Sequence, residues 1–402
     1  MPMDQSVIKI QSDWCNRGNP SADYPSAENT KVMIANFTSY ILATCNTTKK
    51  SYCVFFTSGA TESNSTIIRA VVASWWETHN APPVIICGES EHKAVLLVCE
   101  QLHSQKMCIF VKVPVNLDST INTQALIAAL EKNRGKTALV CIMSMNNETG
   151  AINDLEKIFA ICAKYRVPLH SDAVQSFGKF PPDLSLVPIS SLCASFHKYG
   201  GPPGCGLLII NKEFLDGYKL CPLICGPQNS GFRGGTENVP GIAASFAAMK
   251  LHWDGRFAKN ARIAKLRARF LLRLRTYAPL FYYAIVGNNY VAPCFVIMGG
   301  DGASQSPNTI LLSYIPKKGT TVKMCNGKLK KCLQAHGYII SIGSACNTKS
   351  KYASHVLTAI GADDRIRAGT IRISFGDQNI ADDMDVFVDT FVKCCVDVRN
   401  QQ

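Results

Sequence analysis

From about residue 50 to residue 210 the chain alternates short β-rich runs with stretches of helical period, and no other feature narrows its fold as much. The β-rich runs are Tyr52–Thr57, Val84–Cys87, Ile109–Val113, Leu139–Met143, Val167–Ser171, Leu192–Ser195 and Gly206–Ile210. Between them, Thr61–Glu77, Ala94–Leu102, Thr123–Lys132 and Leu155–Tyr165 carry apolar residues at helical spacing. Such alternation predicts an α/β unit built on a mostly parallel sheet. Ligands of such sheets bind beyond the carboxyl ends of the strands. Past this region, residues 256–277 read as a long basic connector helix. Residues from about 280 onward read as a smaller α+β lobe with strands Cys294–Met298, Thr309–Ile315, Ile339–Ile342 and Ile371–Phe375. The expected division is 1–255 and 256–402.

Composition removes several function classes. Hydrophobic residues make up 47% of the 402 and charged residues 18%, the balance of a folded chain and not a disordered one. No apolar run reaches the roughly 18 residues of a membrane span. The opening MPMDQSVIKI lacks the basic flank and apolar core of a secretory signal, so a cytoplasmic protein is expected. The 18 cysteines are scattered, with no Cys-x-x-Cys pair; the nearest neighbours are Cys221 with Cys225 and Cys394 with Cys395. That spacing predicts reduced, mostly buried thiols and no metal site. The net charge is +13. Arg256, Lys259, Arg262, Lys265, Arg267, Arg269, Arg273 and Arg275 contribute to it from one stretch that holds no acid. The stretch reads either as a solvated helix face or as a docking surface for an acidic protein or an RNA. Its aromatic residues are not interleaved in a way that suggests base stacking.

Four segments carry residue types suited to chemistry. Thr57-Ser58-Gly59-Ala60-Thr61 passes from a strand into a helix, where free N–H groups and the helix dipole suit a phosphate; a simple N-cap is the plainer reading. Asp172 closes an apolar strand in His170-Ser171-Asp172-Ala173-Val174-Gln175, and a buried carboxylate there needs a partner such as a protonated ring nitrogen. Lys198 follows the next strand and precedes Gly200-Gly201-Pro202-Pro203-Gly204, and a lysine in a semi-buried polar site can condense with an aldehyde. Ser195 and His197 flank it as phosphate donors. Finally, Cys346 lies in the small, polar run Gly343-Ser344-Ala345-Cys346-Asn347-Thr348, a composition that favours an accessible, reactive thiol. Arg372, within an apolar strand, is suited to grip a carboxylate.

Taken in order, SGATES at 58–63, EHKAV at 91–95, NNETG at 146–150, HSDAVQSFGK at 170–179, SFHKYGGPPGCG at 195–206, RGGTENVPGI at 233–242, GSAC at 343–346 and IRISFG at 371–376 resemble the NifS-type cysteine desulfurases. The resemblance runs from about residue 18 to the C-terminus, in wording drifted enough for a divergent, viral-type member, for which a virus particle is the alternative location. It implies a type I fold of the pyridoxal 5'-phosphate (PLP) enzymes, class V aminotransferase group. A large domain would hold a mostly parallel seven-stranded sheet, and a smaller α+β domain would carry the cysteine loop. By that resemblance Lys198 would carry PLP and move the Cα proton, Asp172 would pair with the ring nitrogen, and Gln175 would bond the ring hydroxyl. His92 would lie over the ring. Ala60, Thr61, Ser195 and His197 would hold the phosphate, with Thr236 arriving from the other subunit of a homodimer. Asn147 would contact cofactor and substrate, and with Arg372 would hold the substrate carboxylate. Cys346 would take the sulfur of L-cysteine, leaving L-alanine, and pass it to an iron–sulfur scaffold or a tRNA-thiolation protein.

Two departures accompany the resemblance. The family's opening strand and turn, roughly Tyr-Leu-Asp-x-Ala-Ala-Thr-Thr, has no counterpart, and Ile8-Lys9-Ile10 leads to Gly18-Asn19-Pro20-Ser21. Residues 286–308 read as a loop-rich insertion. Two other functions stay open on sequence: a PLP-fold interaction protein without turnover, and another PLP lyase, such as one acting on selenocysteine.

Overall fold

A computed structural model describes residues 2–277, 281–283, 293–299, 304–316, 324–342 and 354–400. Two compact units divide the chain. The first comprises Met1–Val113, Thr123–Met145 and Asp154–Arg256; the second takes Pro114–Asn122, Asn146–Asn153 and Phe257–Gln402. The second unit thus recruits two short excursions from the first half of the sequence.

The first unit is built on strands β1 (Tyr52–Thr57), β2 (Val84–Gly88), β3 (Ile109–Val113), β4 (Thr137–Cys141), β5 (Leu169–Asp172), β6 (Ser191–Ser195) and β7 (Gly206–Asn211). They form one seven-stranded sheet in the order β1-β7-β6-β5-β4-β2-β3. Every pair from β6 to β3 is parallel, and β7 runs antiparallel to both of its neighbours. The mostly parallel sheet expected from the alternation is therefore present. The central strands β2, β4, β5 and β6 are buried at every position, which explains the mostly apolar or small-residue wording of β2, β4 and β6, while β5 buries the polar His170 and Asp172. The helix Ala60–His79 lays Ile67, Ile68, Val71 and Val72 against this sheet, all at most 1% exposed. Each such side chain contributes roughly 1.5–3 kcal/mol on leaving water.

The N-terminal segment forms the helix Gln5–Asp13. Asp4 caps it by accepting from the Ser6 N–H at 2.8 Å, and Val7 packs on Ala244 and Ala248.

The second unit holds a four-stranded sheet of β8 (Phe281–Tyr283), β9 (Cys294–Met298), β10 (Thr309–Ile315) and β11 (Thr370–Ser374), in the order β11-β10-β9-β8. Ile339–Ile342, expected to be a strand, makes only an isolated bridge between Ser341 and Arg372. The basic stretch is one helix, Arg256–Tyr277, and part of its cationic face is met from within the chain. Arg269 grips Asp385 through two bonds of 3.2 and 2.9 Å, and Arg273 grips Asp389 at 2.8 and 2.9 Å. Arg262 donates to the carbonyls of Asn379 and Asp377, each at 2.7 Å. The acidic C-terminal helix Ala381–Asn400 and the turn before it thus occupy much of the cationic face.

Reduced thiols were expected throughout, yet Cys332 and Cys394 form a disulfide, with Cα atoms 5.9 Å apart. The sequence hides this pair because 62 positions separate its members.

Candidate active site

The register of the sheet sets the site. Thr57 of β1 and Ser195 of β6 both stand opposite Gly206 of β7. Because β7 is antiparallel, its first residue meets the carboxyl ends of its neighbours. Gly206 is required there: a Cβ would fall 2.5 Å from the Gly59 Cα. Its absence lets the turn after β1 fold over the strand and start the helix Ala60–His79. The Ala60 N–H donates to the Ser195 hydroxyl at 2.8 Å, and Glu62 reaches back to accept from the Ser58 N–H at 2.7 Å. Burial pushes the Glu62 carboxyl up, but bonds from Arg233 and Ser58 outweigh it and hold the group below its ordinary value. The Glu62–Arg233 ion pair, at 3.0 Å, also ties the segment carrying Thr236 to this helix start.

A cavity of about 550 Å³ opens at this point. Among its lining residues are Ala60, Thr61, Ser195 and His197, the four expected to hold a phosphate, together with Met3. Main-chain N–H groups at a helix start and two hydroxyls make a donor set for an anion. The His197 imidazole is held below its ordinary value, by burial first and then by the neighbouring Lys198. Lys198 and His197 stand exposed on a short 3-10 turn, Phe196–Tyr199, which Gly200 ends at φ +88°.

Asp172 is only 5% exposed. Its two oxygens accept from the Asn64 amide at 2.9 Å and the Val174 N–H at 3.1 Å. The other side of Asn64 accepts from His170 Nε2 at 2.7 Å and from the Cys193 thiol at 3.2 Å. His170 Nδ1 meets the Ser191 hydroxyl at 2.8 Å. Burial drives the His170 pKa down to about 3, so the ring is neutral. A neutral ring that donates through Nε2 must accept at Nδ1, so the run reads Ser191 to His170 to Asn64 to Asp172, each donating to the next. Neither Asn64 nor Ser191 was expected in the site. The available signal was weak: a polar residue on an otherwise apolar helix face.

Burial pushes the Asp172 carboxyl up, and the bonds from Val174 and Asn64 and the charges of His92 and Lys198 oppose that. His92 caps the helix Lys93–Ser104, its Nδ1 accepting from the Ala94 N–H at 3.1 Å. That leaves the Nε2 edge to carry a proton. Gln175 lies partly buried on the turn that follows Asp172, and Thr236 is exposed. A buried carboxylate favoured by cationic neighbours, beside an anion cradle and an exposed lysine, fits a phosphorylated aromatic aldehyde with a basic ring nitrogen. Ala60, Thr61, Ser195 and His197 suit its phosphate, Asp172 its ring nitrogen and Lys198 its aldehyde.

Within the second unit, Arg372 Nη1 donates to the main-chain carbonyl of Asn147 at 2.9 Å, which places those two expected carboxylate ligands side by side. Buried Glu148 accepts from the Ser354 hydroxyl at 2.6 Å and anchors the same segment. Cys346 lies outside the described residues, as does part of the 286–308 segment.

Comparison with known proteins gives one answer. The Aminotransferase class-V family matches residues 17–289. A cysteine desulfurase of Sinorhizobium fredii is 33% identical over 333 residues, covering 83% of this chain and 78% of that protein. A solved NifS-like protein superposes with a TM-score of 0.81 at 27% identity, covering 98% of this chain and 96% of that one. SspA, solved in complex with cysteine, gives a TM-score of 0.75 at 26% identity, covering 94% of this chain and 97% of that one.

Proposed function

Since the chain belongs to the aminotransferase class-V family and, within it, to the cysteine desulfurases, we propose that it takes sulfur from L-cysteine, releases L-alanine and carries the sulfur on Cys346. The observation that carries this reading is Asp172. It is a carboxylate buried to 5% exposure, set in hydrogen bonds that favour its charged form and beside an anion cradle and Lys198. Bound PLP supplies an electron sink for the carbanion left when the substrate loses its Cα proton.

Everything else falls to the chain's own residues. Asp172, whose charged form the Asn64 and Val174 bonds favour against its burial, would pair with the ring nitrogen. Ala60, Thr61, Ser195 and His197 hold the phosphate, and Gln175 the ring hydroxyl. Lys198 carries the cofactor and then moves the Cα proton, with His92 assisting from the helix start it caps. Asn147 and Arg372 receive the substrate carboxylate, a planar group suited to a guanidinium fork. The Cys346 thiolate attacks the substrate sulfur. The S–S bond forms as the C–S bond breaks, the Cβ pair left behind takes a proton, and Lys198 returns a proton to Cα, giving alanine. The cysteine bound in the SspA structure supports this choice of substrate.

Thr236, exposed on the segment that Arg233 secures, is the residue we assign to the phosphate of a second copy in a homodimer. An iron–sulfur scaffold or a tRNA-thiolation protein would then take the sulfur. No helix among the described residues is long and apolar enough to cross a membrane, and the many free thiols suit a reducing cytoplasm.

Alanine and sulfide release from L-cysteine test the proposal. The wild type is expected to form alanine, and Cys346→Ala to bind PLP normally but form none. Alanine formation unchanged in Cys346→Ala, or absent from the PLP-loaded wild type, would remove the desulfurase assignment.

A further inference from the structure

Cys332 and His336 lie one helical turn apart at the end of the helix Asn326–Ala335, and Cys394 faces them from the helix Ala381–Asn400. The two sulfurs and a His336 ring nitrogen all lie within 4.8 Å of one another. Cys394 is fully buried, Cys332 partly so, and His336 is exposed. His336 Nδ1 lies 2.9 Å from the Cys332 carbonyl. A carbonyl can only accept, so Nδ1 carries a proton and Nε2 is the nitrogen available to a metal. Metal-binding histidines are commonly fixed by such an outer bond. The neighbouring Cys395 is buried in the apolar core, and its thiol is pushed up by that burial.

We propose that Cys332, His336 and Cys394 form a thiol-gated site for a thiophilic divalent cation of the zinc class, closed while the disulfide stands and opened by a dithiol reductant. The reductant's thiolate attacks the sulfur of Cys332, the less buried of the two cysteines, and the S–S bond breaks with Cys394 leaving as the thiolate. The reductant's second thiol then releases Cys332, and the reductant departs as a disulfide. Two electrons pass to the protein. The cation binds both thiolates, displacing any proton they hold, and takes His336 Nε2 as third ligand. Three protein ligands leave the fourth tetrahedral position to water or an incoming ligand. The site needs nothing from the PLP chemistry.

Cobalt(II) is the probe, titrated into full-length protein with and without prior reduction. Reduced wild type is expected to bind one more cobalt per chain than Cys332→Ser/Cys394→Ser, with the absorption of thiolate-to-cobalt charge transfer, and zinc is expected to displace it. The unreduced protein is expected to lack that extra uptake. His336→Asn changes an exposed side chain and leaves the disulfide in place. It is expected to weaken uptake by at least the ~10-fold that loss of an outer partner costs. Equal uptake by reduced wild type and the double variant would overturn the proposal, as would His336→Asn binding like wild type or equal uptake before reduction.

Discussion

Asp172 is buried to 5% exposure, where its carboxylate accepts from an amide and a main-chain N–H and lies in the fields of His92 and Lys198. Asp385 and Asp389 stand in solvent, each gripped by an arginine of the helix Arg256–Tyr277. The arginines hold both carboxyls below their ordinary values, whereas burial pushes Asp172 up. The two regions use charge for different ends. Exposed pairs are screened by water and salt and add little stability, but they fix which face of one helix meets the other. A carboxylate in a dry site has its protonation set by whatever is placed against it, and that makes it usable for chemistry.

The comparison breaks most sharply at Asp172 itself. Asp172→Asn keeps the shape and removes the charge, and should lower kcat/KM for alanine formation about 10²- to 10³-fold. A variant within a few-fold of wild type would mean that the buried charge is not used. Asn64→Leu comes next. It leaves both an Asp172 oxygen and the His170 Nε2–H without their partner. Chemical denaturation should show a loss of about 2–5 kcal/mol.

A smaller effect sharpens the contrast through pH. The His170 pKa is about 3 in the folded chain against 6.5 for an ordinary histidine. Below pH 6.5 the unfolded chain therefore binds a proton that the native chain does not. This group's contribution to stability falls as pH drops from 6.5 toward 3, at up to ~1.4 kcal/mol per pH unit. Asp172, with its pKa raised, acts in the opposite sense: its contribution is present at low pH and lost as pH rises. Comparing His170→Gln with wild type at each pH isolates the histidine, and the variant's stability curve should be flatter across that window. Parallel curves would show that His170 is not buried and neutral. Arg273→Ala should do least: a slightly lower Tm at low ionic strength that high salt erases. A loss as large as that of Asn64→Leu would place the arginine–aspartate face among the structural determinants of the fold.

How far the sequence could be read follows the same divide between local and distant partners. Thr123–Lys132, Cys294–Met298 and Thr309–Ile315 form at the boundaries that the sequence predicts, the helix because its spacing defines a buried face and the strands because their apolar runs are buried almost throughout. Ala60, Thr61, Asp172, Ser195 and Lys198 were legible as residues at strand ends, where an α/β sheet presents its ligands. Ile339–Ile342 misled: it alternates as a strand should, with Ile339 at 92% exposure and Ile340 at 7%, yet it pairs at only one position. Asn64 was missed because its partner lies 108 positions away. Cys332 and Cys394 were missed for the same reason. The partners of the basic stretch were missed because an acidic helix more than a hundred residues later carries no mark of where it docks.

The central claim is that Lys198 and Asp172 build a cofactor site, and an absorbance titration with PLP tests it most directly. Wild type, Asp172→Asn and Lys198→Ala would each be titrated, then mixed with L-cysteine. The account predicts one saturable visible band per wild-type chain that shifts on adding L-cysteine, a displaced band in Asp172→Asn, and no such band in Lys198→Ala. A band that survives unchanged in Lys198→Ala, or no band in wild type at saturating PLP, would contradict it.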